Sequence, residues 1–226
     1  MTKNYDKKIV IKPWGYEYNI FRNKKKLAIT YLKILKGKST SLHCHPIKKT
    51  GFLILSGIAE VQIGIYKENI IKYSPLSILV LRPGLFHRIK ASKYSNLYAL
   101  EIETPYLKSD LIRMKDSYGR QNKGYEGLQS TKKISKTDII FKLPKKKQFN
   151  KYLLNKVSID LRYYKNFNSF KNFDDNSISI ICDGEIVSKN GKQVISTGEI
   201  VKSFTLKKLS NFFKIKKDIL VLKAKK

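Results

Sequence analysis

The sequence predicts an all-β protein built as a sandwich or a barrel. Its apolar residues fall in many short runs, and turn residues such as Ser56-Gly57 and Pro83-Gly84 separate these runs. Tyrosine and phenylalanine are abundant, with 14 and 11 copies, and aromatic side chains favour strands. Many short strands with turns between them are typical of two packed sheets. At 226 residues the chain is long enough for one large or two small domains with a real core.

The predicted elements are strands, except at two places. Residues 1 to 9 are expected to form a mobile arm. Residues 107 to 120 break the strand pattern, and the spacing of their apolar side chains predicts a short helix. This segment is expected to latch the first domain, with contact of Arg113 and Arg120 to an anionic substrate as the alternative. The strands of the first half are expected at residues 27–35, 52–55, 58–63, 77–81 and 95–103.

The formal net charge of +30 makes nucleic acid the first partner to consider. Only six of the 47 basic residues are arginine, although arginine is the better bidentate reader of phosphates and bases. The charge is also spread evenly, with +15 in residues 1 to 130 and +15 in residues 131 to 226. Because a nucleic-acid footprint should cluster, the sequence predicts a solvated basic surface and no specific nucleic-acid binding.

Cysteine use and hydropathy set the expected compartment. Cys44 and Cys182 are the two cysteines, which does not indicate a disulfide framework and fits a reducing compartment. The N-terminus leads into no apolar signal core, and no run approaches the roughly 20 apolar residues of a membrane span. We therefore expect a cytoplasmic protein with no membrane partner.

All three histidines fall within one stretch of the first half. His43 and His45 are two residues apart, so in a strand their imidazoles point to one face while Cys44 points away. His87 follows 42 residues later, and a returning antiparallel strand would bring it beside the pair. Three neutral imidazoles suit zinc, iron, manganese, nickel or copper better than calcium or magnesium. A single histidine in a strand is more often a hydrogen-bonded core residue, but this constellation predicts one metal site.

Together with their surroundings, the histidines resemble the two-part motif of the cupin superfamily. That motif is carried by Gly37, His43-x-His45, the apolar run ending at Ser56-Gly57, and Pro83-x3-His87. Further segments resemble the cupin domain of type II mannose-6-phosphate isomerases, often fused to mannose-1-phosphate guanylyltransferases. These segments are Lys12-Pro13-Trp14-Gly15, Glu101-Ile102-Glu103-Thr104-Pro105, Asp110-Leu111-Ile112-Arg113 and Asp116-Ser117-Tyr118-Gly119-Arg120. The likeness covers about residues 10 to 122.

The resemblance implies the double-stranded β-helix, or jelly roll, of the cupins. It also implies a role in carbohydrate metabolism, with sugar phosphates or nucleotide sugars as ligands. In an aldose–ketose isomerase a divalent metal holds the sugar oxygens while a base moves a proton between adjacent carbons. The expected cofactor is accordingly a divalent transition metal, namely zinc, manganese, nickel or iron.

Two departures from that family change the expected chemistry. Cupins usually place a glutamate ligand five residues after the second histidine, where this chain has Thr50. The type II isomerases carry an Arg-x-Glu-His signature associated with catalysis, where this chain reads Lys48-Lys49-Thr50-Gly51. Unless Glu101 or Glu103 takes the missing role, we expect poor interconversion of mannose 6-phosphate and fructose 6-phosphate.

Other candidate site residues follow from the predicted strands and the expected ligand. Glu101 and Glu103 share one face of a strand, so either is a candidate to complete the metal coordination or to act as the catalytic base. Four basic residues flank the expected opening and are candidates to bind a phosphate: Lys48, Lys49, Arg82 and Arg88.

The second half contains a faint internal repeat of the first. Asp183-Gly184 stands where Ser56-Gly57 stands in the first half, and Phe212 falls in the region of His87. No histidine occurs in this half. The sequence therefore predicts a bicupin, whose second domain is degenerate and has no imidazole site, with an unrelated small β-domain as the alternative.

The expected domain boundaries follow from composition. Residues 1–126 form the metal-binding cupin domain, and residues 151–226 form the degenerate cupin-like β-domain without histidines. Residues 127–150 are rich in Lys, Gly, Ser and Gln and are expected to be a linker, with one strand near Ile139 to Leu143. A homodimer is one further expectation for this architecture.

Three function classes remain open from the sequence. The first is a metal-dependent isomerase or epimerase on a sugar phosphate or nucleotide sugar. The second is a non-catalytic sugar-binding or regulatory cupin of polysaccharide biosynthesis, which the lost Arg-x-Glu-His signature favours. The third is a non-haem iron dioxygenase, because three imidazoles without a carboxylate also suit iron and dioxygen. The metal that the protein retains on purification would separate these classes.

Overall fold

A computed structural model describes residues 5, 7–145 and 147–226, and it is built almost wholly from β-strands. The predicted all-β class is therefore confirmed. The chain divides into two compact units, Met1–Ile140 and Phe141–Lys226. Among the described residues, no helix has the length and apolar character that a membrane crossing requires.

The described residues of the first unit form twelve strands in two antiparallel sheets. One sheet has the order β12-β1-β2-β3-β10-β5-β8, and the other has the order β11-β4-β9-β6-β7. The strands are β1 (Lys8–Lys12), β2 (Gly15–Asn23), β3 (Leu27–Ile34), β4 (Leu42–Cys44), β5 (Lys49–Ser56), β6 (Ala59–Ile63), β7 (Ile70–Tyr73), β8 (Ile78–Leu81), β9 (His87–Ala91), β10 (Leu97–Thr104), β11 (Ile112–Lys115) and β12 (Thr131–Lys133).

The two sheets of the first unit share one hydrophobic core. Phe52 and Ile54 of the larger sheet lie in the same buried cluster as Val61 and Ile89 of the smaller sheet. The strands β3, β5, β6, β9 and β10 each contribute two residues that are two positions apart to this core, as the two-residue period of a strand requires. The chain passes back and forth between the two sheets, so the unit is a jelly roll. This is the double-stranded β-helix expected from the sequence.

The structure corrects two local predictions for the first unit. Residues 107 to 120 contain the strand β11 in place of the predicted helix, because β11 pairs with the edge of β4. The expected arm is wrong for Lys8 and Ile9, since Ile9 is buried and β1 pairs with β2 and β12. Residues 1–4 and 6 of that arm lie outside the described residues.

The segment expected to be a linker is shared between the units. Its strand β12 pairs with β1, so it extends the larger sheet of the first unit. Residues 139–143 form no strand, and Phe141, the first residue of the second unit, is buried. A buried phenylalanine anchors this part of the chain, which its polar composition did not indicate.

The second unit is a smaller antiparallel sandwich. Its sheets have the orders β13-β14-β20-β15-β18 and β17-β16-β19. Its elements are β13 (Phe149–Leu154), β14 (Val157–Tyr164), β15 (Ile178–Asp183), β16 (Glu185–Ser188), β17 (Gln193–Ser196), β18 (Ile200–Lys202), the helix α1 (Ser203–Leu209), β19 (Phe213–Ile215) and β20 (Ile219–Lys225). One aromatic-rich core cluster draws on both sheets and on α1.

The strand order of the second unit repeats that of the first. The row β2-β3-β10-β5-β8 corresponds to β13-β14-β20-β15-β18, and β9-β6-β7 corresponds to β19-β16-β17. The turns agree too. Gly57 and Gly184, at φ +84° and +92°, join equivalent strands. A Cβ on Gly57 would contact the carbonyl oxygen of Asn96 too closely, and a Cβ on Gly184 would do the same to that of Asp218. Only glycine fits both the positive φ and this close approach.

The units differ where the first carries its histidines. Between β14 and β15 the chain forms a 3-10 turn, Phe167–Phe170, and no strand corresponds to β4. Val61 and Ser188 each lie four residues after the equivalent glycine, and they pair with Ile89 and Phe213. Counting back two residues, Asn211 takes the place of His87.

Phe212, which the sequence placed in the region of His87, lies one residue beyond the position equivalent to His87. Phe212 aligns with Arg88, lies in the turn before β19, and is 67% exposed. The single-residue offset exchanges the two faces of a strand, because the side chains alternate.

Candidate metal centre and its cavity

The three histidines meet on one face of the smaller sheet of the first unit. His43 on β4 lies directly opposite His87 on β9, and His45 follows immediately after β4. Their possible ligand atoms all lie within 4.8 Å of one another. Arg113 on β11 lies opposite His43 on its other side. Residues opposite each other share a face, so Arg113, His43 and His87 form a row across the sheet.

Hydrogen bonds to backbone carbonyls fix the tautomer of each imidazole. The Nδ1–H of His43 donates to the carbonyl oxygen of Ser41 at 2.8 Å, and that of His87 donates to Leu85 at 3.0 Å. The Nδ1–H of His45 donates to the carbonyl oxygen of Asp110 at 2.6 Å. A carbonyl can only accept, so Nδ1 carries the proton and Nε2 keeps its lone pair. Metal-bound histidines are commonly oriented in this way.

Two of these Nε2 atoms are buried without a hydrogen-bond partner, namely those of His45 and His87. Burial, with the nearby charge of Lys48, lowers the pKa of His45 to about 4. Burial, with the nearby charge of His45, lowers the pKa of His87 to about 3, and burial likewise lowers the pKa of His43. All three rings are therefore neutral near pH 7, which is the form that ligates a metal.

The geometry fits a transition metal with three nitrogen ligands. Three histidines with a remaining open position are typical of catalytic zinc, and neutral imidazole also suits iron, manganese and nickel. No carboxylate joins the three histidines in the cluster found among the described residues. Thr50, at the usual glutamate position, lies on the same strand face as Phe52; it is buried, and its hydroxyl has no hydrogen-bond partner.

Asp110 holds the loop that presents His45. Its carbonyl oxygen accepts the imidazole, while its carboxylate accepts the backbone N–H groups of Ile47 and Lys48 at 3.1 and 2.9 Å. Asp110 is itself buried. The motif Asp110 to Arg113 therefore supports the histidines from two sides, through Asp110 on His45 and Arg113 beside His43.

The three histidines open into a cavity with an empty volume of about 620 Å³, part of which is open solvent. Apolar and aromatic side chains contribute to its wall, including Trp14, Phe52 and Tyr125. The rest of the wall is highly charged. It includes Glu101 and Glu103, which continue the inward face of β10, and the cations Lys12, Lys48, Lys108, Arg113 and Arg120.

The two glutamates of β10 differ sharply in their surroundings. Glu103 is ion-paired with Lys48 and, at 3.2 Å, with Lys108, and it accepts the hydroxyl of Thr30. Burial alone would raise the pKa of Glu103, but the two lysines lower it well below the usual range. Glu101 has no hydrogen bond or ion pair with another described residue. Burial and the charge of Glu103 raise the pKa of the Glu101 carboxyl.

A second set of ion pairs lies beside the cavity. Glu126 binds Lys12 and, at 2.5 Å, Arg120, which also reaches Asp116 at 2.7 Å. The Tyr125 hydroxyl donates to Glu17. The pairs Lys12–Glu126 and Tyr125–Glu17 join residues more than 100 positions apart, so no local pattern in the sequence revealed the whole network. Lys12 and Arg120 did fall within segments singled out by the family resemblance.

The four basic residues expected to bind phosphate are dispersed. Lys48 lines the cavity, although its ammonium group is committed to Glu103. Lys49, Arg82 and Arg88 are not among the described residues that line it. Lys49 and Arg88 lie on the opposite strand face from Lys48 and His87, and Arg82 is exposed. The cavity lining therefore gives no support to phosphate binding by Lys49, Arg82 or Arg88.

The chain was compared with known proteins. No family model and no curated protein matches it. Solved structures that it resembles include a cupin domain of Schizosaccharomyces pombe Cnp3, with 13% identity over 40% of this chain and 64% of that chain, and a TM-score of 0.37. The capsular polysaccharide assembling protein CapF of Staphylococcus aureus matches with 16% identity over 48% of this chain and 34% of its own, and a TM-score of 0.42.

A putative sugar phosphate isomerase of Acidithiobacillus ferrooxidans is also similar, with 20% identity over 38% of this chain and 55% of that chain, and a TM-score of 0.34. All three identities are below 25%, and all three TM-scores are below 0.5. These likenesses therefore say nothing about what this chain binds or catalyses.

Proposed function

We propose that the first unit is a metal-dependent cupin that acts on a sugar phosphate or nucleotide sugar by moving a proton. The observation that carries the metal site is the set of three Nδ1–H bonds to backbone carbonyls, which leaves the three Nε2 atoms of His43, His45 and His87 free to ligate. A divalent metal held there would supply a Lewis acid that polarises a sugar carbonyl.

Glu101 is the residue proposed to move the proton. Its carboxyl faces the cavity and has no partner among the described residues, and its raised pKa brings it nearer to neutral pH, where a general acid or base works best. Glu103 is proposed to act as a positioning residue, because its carboxylate is already shared by Lys48 and Lys108. The sequence left these two glutamates equivalent, and their partners favour Glu101.

A non-catalytic sugar-binding cupin is the second candidate. It is favoured by Thr50, which stands in place of the usual glutamate ligand and cannot act as a base at neutral pH. In that case the same cavity binds the ligand, and Glu101 is only an acceptor for a sugar hydroxyl. The two candidates share the metal and the ligand, and they differ in whether the Glu101 carboxyl exchanges a proton with the ligand.

The test supplies mannose 6-phosphate or fructose 6-phosphate to protein loaded with zinc, manganese, cobalt or nickel, and chromatography follows the other hexose phosphate. Turnover that Glu101→Gln abolishes and Glu103→Gln only reduces would support the proton-transfer proposal. No turnover, together with a rise in melting temperature on adding the sugar phosphate, would favour the binding protein. Iron in protein purified without added metal would instead point to the dioxygenase class.

A further inference from the structure

Arg113 differs from the other cations of the cavity wall in how its charge is balanced. Lys12, Lys48, Lys108 and Arg120 each have a carboxylate oxygen at 3.2 Å or closer. The nearest carboxylate to Arg113 is Glu126 at 3.9 Å, and Glu126 already serves Lys12 and Arg120. Five cations thus share four paired carboxylates, those of Glu17, Glu103, Asp116 and Glu126.

The guanidinium of Arg113 also has an unused donor. Its Nη1 donates to the backbone carbonyls of Lys123 and Gly124, the latter at 2.8 Å. Its Nε is buried and has no hydrogen-bond partner. The side chain as a whole is only 4% exposed, yet it lines the cavity. A buried guanidinium with an unpaired N–H is costly unless a ligand supplies an acceptor.

Arg113 lies next to the histidines in the sheet and lines the same cavity. Arg113 is the cross-strand neighbour of His43, which is in turn the neighbour of His87, and all three side chains share one face. Opposite residues in an antiparallel pair have Cβ atoms about 4.5–5.5 Å apart. A small ligand can therefore contact the histidine cluster and Arg113 at the same time.

We infer that Arg113 is the anion-binding residue of this cavity, and that its Nε–H donates to an oxyanion oxygen of the ligand, from a phosphoryl or a carboxylate group. The inference rests on the proposed function only for the idea that metal and anion occupy one cavity. An oxyanion there accepts the unused Nε–H, and charge-assisted bonds of arginine to such groups are among the strongest in proteins.

The test titrates inorganic phosphate, and separately acetate, into metal-free protein while the arginine Nε–H resonances are followed by NMR. The chain has six arginines, so six such signals are expected, and Arg113→Lys assigns one of them by its loss. The Arg113 signal should shift saturably with at least one of the two anions. If that signal stays in place at saturating concentrations of both anions, the inference is wrong.

The affinity of the responsive anion provides the second readout. Arg113→Lys keeps the positive charge but loses the Nε–H, so affinity should fall by about tenfold or more. Arg162→Gln is the matched control, because it removes the charge of an exposed arginine in the second unit and should leave the affinity unchanged. Equal affinity in the wild type and Arg113→Lys would overturn the inference. If Arg113→Lys does not fold, through-bond assignment of the wild-type signal keeps the titration decisive.

The failure of this inference is distinguishable from a failure of the proposed function. The titration uses metal-free protein, whereas the metal content of the same preparation before chelation tests the histidine site separately. Arg113 also ties Lys123 and Gly124 to the wall, so a purely structural role would lower the melting temperature of Arg113→Lys without changing its anion affinity.

Discussion

The rings of His43 and His87 face each other across two antiparallel strands, with their centroids 4.4 Å apart. Each ring donates its Nδ1–H to the carbonyl oxygen of the residue two positions earlier, Ser41 or Leu85. Local backbone geometry therefore orients both rings without help from a metal. The site is preformed, and its affinity should depend on the number of imidazoles present.

Replacing His87 with Ala should abolish tight metal binding, because two imidazoles cannot complete the site. The metal content of dialysed protein, measured by mass spectrometry, should fall from about one equivalent to near zero. Cys44→Ala is the matched control, since Cys44 lies between His43 and His45 in the chain but its side chain points away from theirs, and it should retain the metal. An unchanged metal content in His87→Ala would show that the three histidines are not a metal site.

Metal-free protein should lose stability as the pH falls from about 6.5. The pKa values of His45 and His87 in the folded protein, about 4 and 3, lie below the ordinary value, so the unfolded chain binds protons that the folded chain does not. Their stabilising contribution is full above pH 6.5 and is lost progressively as the pH falls toward 4 and 3.

Urea unfolding at several pH values between 7 and 5 measures this effect. This window lies above the ordinary pKa of glutamate, so the acid-sensitive ion pairs of Glu103 contribute little to the slope. The raised pKa of Glu101 adds a slope of opposite sign here, so the measurement is made in the Glu101→Gln background. His87→Gln removes one titrating group and should flatten the dependence. An equally steep slope in that variant would show that His87 does not contribute to the pH dependence of the free energy of unfolding.

Glu101→Gln and Glu103→Gln should change stability in opposite directions. The raised pKa of Glu101 means that its ionised form is disfavoured in the folded state, so its contribution is lost as the pH rises. Glu101→Gln should therefore leave the free energy of unfolding at pH 8 unchanged or higher. Glu103→Gln leaves Lys48 buried without its carboxylate and should lower that free energy by about 3–5 kcal/mol. Similar losses in both variants would contradict this assignment.

Gly57→Ala should destabilise the first unit far more than Gly84→Ala. Both glycines have positive φ, +84° and +76°, so both substitutions incur backbone strain of about 1 kcal/mol. A Cβ at Gly57 would lie 2.3 Å from the carbonyl oxygen of Asn96, whereas a Cβ at Gly84 meets nothing within 4 Å. Thermal unfolding of the two variants separates the steric clash from the strain, and equal shifts would show that the approach to Asn96 is unimportant.

What the sequence could predict depended on local periodicity. The two-residue period placed His43 and His45 on one side, and the turn before His87 indicated the returning strand. The charged wall was missed because its pairs join distant residues, as Lys12 and Glu126 do. The helix expected at residues 107 to 120 failed because pairing with β4 overrode a local apolar pattern, and no single segment of sequence contains both strands.

Buried polar atoms that lack a hydrogen-bond partner are distributed unequally between the two units. Among the described residues, seven buried side-chain polar atoms lack a hydrogen-bond partner, and six of them belong to the first unit. The seventh, an oxygen of Asp160, is in the second unit, whose core is filled by Tyr164, Phe170 and other aromatic side chains. Three of the six, on His45, His87 and Arg113, belong to residues that line the cavity, where a bound metal or anion would supply the missing partner and stabilise the folded state.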